Sequence, residues 1–93
     1  MNISKTTFNF GKKRGFWVEL EDFDDLVTFT EIEEDGELAC EWMFSYRMNE
    51  DGSFTWNGNV YLAKEIKEEL PATIKDEKHL REVIAFVAKE LKK

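Results

Sequence analysis

Carboxylates dominate the chemistry this chain could do. Asp22, Asp24 and Asp25 put three of them within four residues, and Glu33, Glu34 and Asp35 add three in a row. Oxygen donors at that density suit a hard cation such as calcium or magnesium. Their spacing argues otherwise, because an EF-hand loop needs acids at alternate positions, a glycine and a distal glutamate, and neither set supplies these. Two separated carboxylates could serve as acid and base on a glycosidic bond, but a short, strand-rich chain is poorly suited to build the substrate cleft. His79, the sole histidine, falls on the flank of the last helix with no serine-rich turn or cysteine beside it. Nucleophile–base catalysis needs two partners within hydrogen-bond reach. Cys40 is expected to point inward with Leu38 and Trp42, where a thiol stays protonated and packs as a small hydrophobe. The reading is of no enzyme, no cofactor and no metal centre.

What remains is charge. Between Glu19 and Asp51 there are thirteen acidic residues and one basic residue, Arg47, a net of −12; the rest of the chain is net +5, so the overall −7 conceals a polarised molecule. Such a block acts over about a Debye length, roughly 8–10 Å at physiological salt. It favours basic partners and disfavours nucleic acid and anionic membrane.

The elements that position these residues follow from patterning. The 93 residues, 42% hydrophobic and 14% aromatic, describe one folded domain spanning 1–93 rather than a disordered acidic chain. Two-residue alternation with turn chemistry between runs predicts an antiparallel meander of about five strands. These are Thr6 to Phe10, Phe16 to Glu21, Leu26 to Ile32, Glu37 to Met48, and Phe54 to Leu62. Gly11-Lys12-Lys13-Arg14-Gly15 reads as a glycine-bracketed loop. Glu33-Glu34-Asp35-Gly36 and Asn49-Glu50-Asp51-Gly52 read as hairpin turns, since Asp and Gly tolerate positive φ. Asn57-Gly58 reads as a bulge. Leu38, Cys40, Trp42, Phe44, Tyr46 and Met48 are expected to face the core with Trp56 and Val60.

After Leu62 the period becomes helical. Leu62, Ile66 and Leu70 form a short segment ended by Pro71. Asp76 or Thr73 caps a last helix whose apolar stripe is Leu80, Val83, Ile84, Val87, Ala88 and Leu91. The fold expected is α+β, with the sheet packed on that helix and the short helical segment before it.

One cysteine excludes an internal disulfide, and Met1-Asn2-Ile3-Ser4-Lys5 lacks the apolar run of a signal peptide. A cytoplasmic location is the expectation. No stretch approaches the ~20 apolar residues that cross a bilayer.

The opposite sheet face mixes acids with Trp17, Met43 and Tyr61, residue types enriched in interfaces. The candidate partner-binding set is Trp17, Glu19, Glu21, Asp22, Asp24, Asp25, Glu33, Glu34, Asp35, Glu37, Glu41, Met43 and Tyr61. The function expected is a small acidic protein-binding inhibitor that occupies a basic, nucleic-acid-binding surface of a partner. Phage-encoded inhibitors of host restriction or CRISPR nucleases and immunity proteins for nuclease toxins have this size and charge. The alternative is an interaction module forming homodimers or larger homo-oligomers, with acidity serving only solubility.

Overall fold

In a computed structural model, residues 3–21 and 25–92 are described. The elements in chain order are α1 (Lys5–Lys13), β1 (Phe16–Glu21), β2 (Leu26–Glu31), β3 (Phe44–Met48), β4 (Phe54–Asn59), α2 (Lys64–Lys67), β5 (Thr73–Ile74) and α3 (Glu77–Leu91). All five strands form one antiparallel sheet in the order β1-β2-β3-β4-β5, the expected α+β meander.

Register sorts the side chains. Val18 lies opposite Phe29, Phe29 opposite Phe44, Tyr46 opposite Trp56 and Phe54 opposite Ile74, so one sheet face is apolar throughout and largely aromatic. The Phe29 and Phe44 rings stack at 4.5 Å and Trp56 meets Tyr46 edge-on at 5.2 Å, geometries that add to plain area burial. α3 closes this face with Leu80, Val83, Ile84, Val87 and Ala88, and α2 adds Ile66. Asp76 caps α3 by accepting from the His79 N–H. The Tyr46 hydroxyl donates to the Pro71 carbonyl at 2.9 Å, and burial pushes the phenol's pKa well up. Of the tryptophans expected in the core, Trp56 is half-buried at its margin, whereas Trp42 is half-buried on the opposite face of the sheet.

The first element is a helix, not the strand read over Thr6 to Phe10. Local signals outweigh the alternation of Phe8 and Phe10. Ser4 caps α1 by accepting from Thr7 N–H, and Lys12 and Lys13 occupy its last turn. The buried positions are Thr7 and Gly11, four apart and on one helical face. Lys12-Lys13-Arg14 therefore closes a helix rather than tipping a hairpin, with the Arg14 guanidinium 3.5 Å above the Phe10 ring. Gly11 is required by close approach: a Cβ there would lie 2.7 Å from Val18 Cγ2 and 3.3 Å from the Phe16 carbonyl oxygen. The fifth strand is instead Thr73–Ile74, paired with β4.

The second correction concerns Glu37 to Met48. The Glu33–Gly36 turn forms as expected, with Gly36 N–H donating to Glu33 C=O and Gly36 at φ 88°. Beyond it Ala39 bonds to Glu31, but Phe29 pairs with Phe44, so two steps on β2 face five on the returning chain. Three residues, Cys40 to Trp42, are left over. An odd excess puts the residues before it on the opposite face from the one that uninterrupted alternation with Phe44, Tyr46 and Met48 would give them. Leu38 (44% exposed) and Cys40 are thus exposed rather than in the core, and Met43 (2% exposed) is buried rather than offered to a partner. Asn57 is the expected bulge, since Ser45 pairs with Gly58 and Tyr46 with Trp56. β4 stops at Asn59, where the Val60 and Tyr61 N–H groups both turn to the Met43 carbonyl; this leaves Val60 44% exposed rather than buried. Leu91, expected in the buried stripe of α3, is exposed in its last turn.

Candidate functional site

The sheet face away from α3 begins with β1, which sends Glu19 and Glu21 outward, and β2, which sends Thr28 and Thr30 beside them. Leu38 to Trp42 lies along this face, and together these segments enclose a groove of about 450 Å³. Its walls carry three carboxylates, Glu19, Glu21 and Glu41, and the apolar side chains Leu38, Trp42 and Val60. No basic side chain among the described residues lines it. Thr28, buried in its lining, pairs across the sheet with buried Ser45, whose hydroxyl accepts from Asn57 Nδ2 at 3.0 Å.

Tyr61, 45% exposed, extends the acidic character towards the β2 end. Its hydroxyl approaches Glu31 Oε1 at 3.5 Å. Partial burial raises the phenol's pKa, and the neighbouring carboxylates of Glu31, Glu33 and Glu41 raise it further by opposing a phenolate. These four side chains therefore share one electrostatic neighbourhood.

The remaining candidate residues distribute unevenly. Glu33, Glu34, Asp35 and Glu37 are exposed around the hairpin turn, where Asp35 Oδ1 accepts from the Glu37 N–H. Asp25 is exposed at φ 51°, and its carbonyl accepts from Met48 N–H. Asp22 and Asp24 lie outside the described residues. Trp17 does not enter the acidic groove; it is half-buried edge-on against Phe8 at 4.8 Å and lines a separate groove with Ile3 and Lys5. Met43 is in the core.

Three contributors went unread in the sequence. Leu38, Trp42 and Val60 all belong to runs whose alternation assigns them inward, and no composition signal marks the excursion that turns them out. Glu31 was visible only as one acid among many, since its role depends on Tyr61, thirty positions away.

Among the described residues no group of three or more His, Cys, Asp or Glu side chains is placed to hold a metal ion. His79 accepts the Lys75 N–H through Nδ1 on the flank of α3. Cys40 is exposed on the groove wall, away from that imidazole's helix. No helix among the described residues is long and apolar enough to cross a membrane. No family model matches this chain, and no curated protein or solved structure matches it. The class defined by fold and site is therefore a small α+β domain bearing an acidic, partly apolar groove.

Proposed function

We propose that the protein binds a basic surface of another protein through the groove of Glu19, Glu21 and Glu41, and acts by occupying that surface rather than by catalysis. The single supporting observation is the convergence of three carboxylates with exposed Leu38 and Val60 in one concavity. Acids alone serve solubility, whereas acids around an apolar centre give both selection by charge and a desolvated anchor. A DNA- or RNA-binding groove is the commonest large basic surface in a cell, and spaced carboxylates can stand in for phosphates. Inhibition of a nuclease, by a phage-encoded inhibitor of host defence or an immunity protein, is the role this reading favours.

The test is capture of partners from lysate by the parent chain and by E19K/E21K/E41K. All three sites are exposed or at the groove wall, so the variant should fold as the parent does. Parent complexes should dissociate as salt rises from about 50 to 200 mM, where screening is steep. Retention of every partner by the triple variant would overturn the proposal.

A further inference from the structure

Two of the three tryptophans have a ring neighbour inside the fold: Trp17 meets Phe8 at 4.8 Å and Trp56 meets Tyr46 at 5.2 Å. Trp42 has no ring neighbour among the described residues, and its indole N–H meets no acceptor among them. It is half-buried in the wall of the acidic groove, beside exposed Glu19, Glu21 and Glu41. Those three carboxylates also have no hydrogen-bond or ion-pair partner among the described residues. The groove thus sets an uncommitted indole among unpaired negative charges, with exposed Leu38 and Val60 alongside.

We propose that the groove receives an arginine side chain of the basic partner, its guanidinium stacked on Trp42 and its N–H groups donating to the surrounding carboxylates. The proposal rests on the basic-partner reading and names the residue that is recognised. A cation over an indole face is attracted by the ring quadrupole, most strongly where water is partly excluded. The guanidinium is planar, stacks on aromatic rings and holds five donors in a fixed fork, so one side chain can serve more than one carboxylate. It is also less hydrated than an ammonium, and therefore gives up less on entering a wall that holds Leu38 and Val60. The volume, about 450 Å³, is in the range of sites that take a small organic molecule, enough for the whole side chain and an apolar neighbour. A second copy of this chain is a poor source of the guest, because its three arginines are already engaged: Arg14 lies 3.5 Å above the Phe10 ring, Arg81 donates to Thr7 Oγ1 at 2.9 Å, and Arg47 also has a partner.

The test uses the capped peptide Ala-Arg-Leu-Arg-Ala, a twin with lysine for both arginines and a twin with citrulline, which keeps the shape and loses the charge. Each is added at low salt to the full isotope-labelled chain, and the three indole N–H resonances are followed, that of Trp42 being assigned by its loss in Trp42→Phe. The arginine peptide should move the Trp42 resonance and leave those of Trp17 and Trp56 in place. It should bind about tenfold more tightly than the lysine twin, and the citrulline twin should not bind. Trp42→Leu should weaken the arginine peptide about tenfold and the lysine twin by less; should that variant fail to fold, the three peptides decide on the parent chain alone. Equal affinity of the arginine and lysine peptides would overturn the arginine site while leaving the charge-based reading intact. Binding of neither would also overturn it, the basic-partner reading then being judged separately by the triple variant. Movement of the Trp17 or Trp56 resonance in place of Trp42, or equally tight binding of the citrulline twin, would overturn the proposal as well.

Discussion

Glu77 holds Ser4 from seventy-three positions away, taking the Ser4 hydroxyl at 2.6 Å and the Ser4 N–H at 3.1 Å on one carboxylate oxygen. The same oxygen accepts from the Thr7 hydroxyl at 2.5 Å, and Arg81 Nη1 donates to Thr7 Oγ1 at 2.9 Å. Through this cluster α1 is fastened to the start of α3, and with it the cover over the first residues of β1.

Removing the carboxylate should loosen that fastening. Partial burial works to raise the Glu77 pKa, but hydrogen bonds from Ser4 and Thr7 and the Arg81 charge outweigh it, so the group titrates below its ordinary value of 4.5. A carboxyl lowered on folding stabilises the native state above its unfolded pKa and ceases to do so as pH falls through the folded one. Glu77→Ala should cost about 1–2 kcal/mol at neutral pH, a melting shift on the order of 4–8 °C per kcal/mol. The gap between parent and Glu77→Gln should narrow in acid below about 4.5, and a constant gap from neutral to strongly acid pH would refute the assignment.

Gly11→Ala tests the closeness of α1 to β1. Alanine is better than glycine in a helix by about 1 kcal/mol, but overpacking against Val18 costs about 1–3 kcal/mol. A net loss of stability is expected on denaturant titration. Val18→Ala should cost less in the Gly11→Ala background than in the parent, because it removes the clashing methyl group. Strict additivity of the two would place the contact elsewhere.

The excursion after the Glu33–Gly36 turn can be probed by two sulfur-bearing residues, Cys40 within it and Met43 just after it. Met43→Ala should cost about 2–5 kcal/mol as a core truncation. Cys40→Ala, at the exposed groove wall, should stay within about 0.5 kcal/mol of the parent. In the native protein the thiol should react with a soluble disulfide reagent as readily as in the unfolded chain, whereas strong protection would restore the core placement expected from uninterrupted alternation.

On α3, Ile84→Ala should cost about 2–5 kcal/mol and Leu91→Ala a small fraction of that. Comparable losses at both sites, read from urea midpoints, would mean that the last turn of the helix packs more tightly than its exposure indicates.

Legibility in the sequence tracked the locality of the signal. The turns at Asp35-Gly36 and Asp51-Gly52, the bulge at Asn57 and the Asp76 cap depend on a few adjacent residues, and all four form where those residues stand. α1 is concealed because the Phe8 and Phe10 alternation mimics a strand, and because the value of Gly11 lies in its distance from Val18, known only once the sheet exists. The core of α3 was legible from its stripe except at Leu91, which is exposed in the last turn. Within the candidate site, Glu19, Glu21 and Glu41 were read together and do line one groove. Their apolar companions were not, since a facing inverted by three surplus residues leaves no trace in composition.

Tyr61 gives the acidic face beside the groove an optical signal of its own. Of the two tyrosines, Tyr46 is buried and bonded to the Pro71 carbonyl with its ionisation driven far into alkali, so the earlier rise in phenolate absorbance should belong to Tyr61. A guest ammonium or guanidinium arriving among Glu31, Glu33 and Glu41 would offset the carboxylates that oppose the phenolate, and the first titration step would move back towards neutral pH. Occupancy of the acidic face thus becomes readable by spectrophotometry on the unlabelled chain, with no engineered probe near the contact.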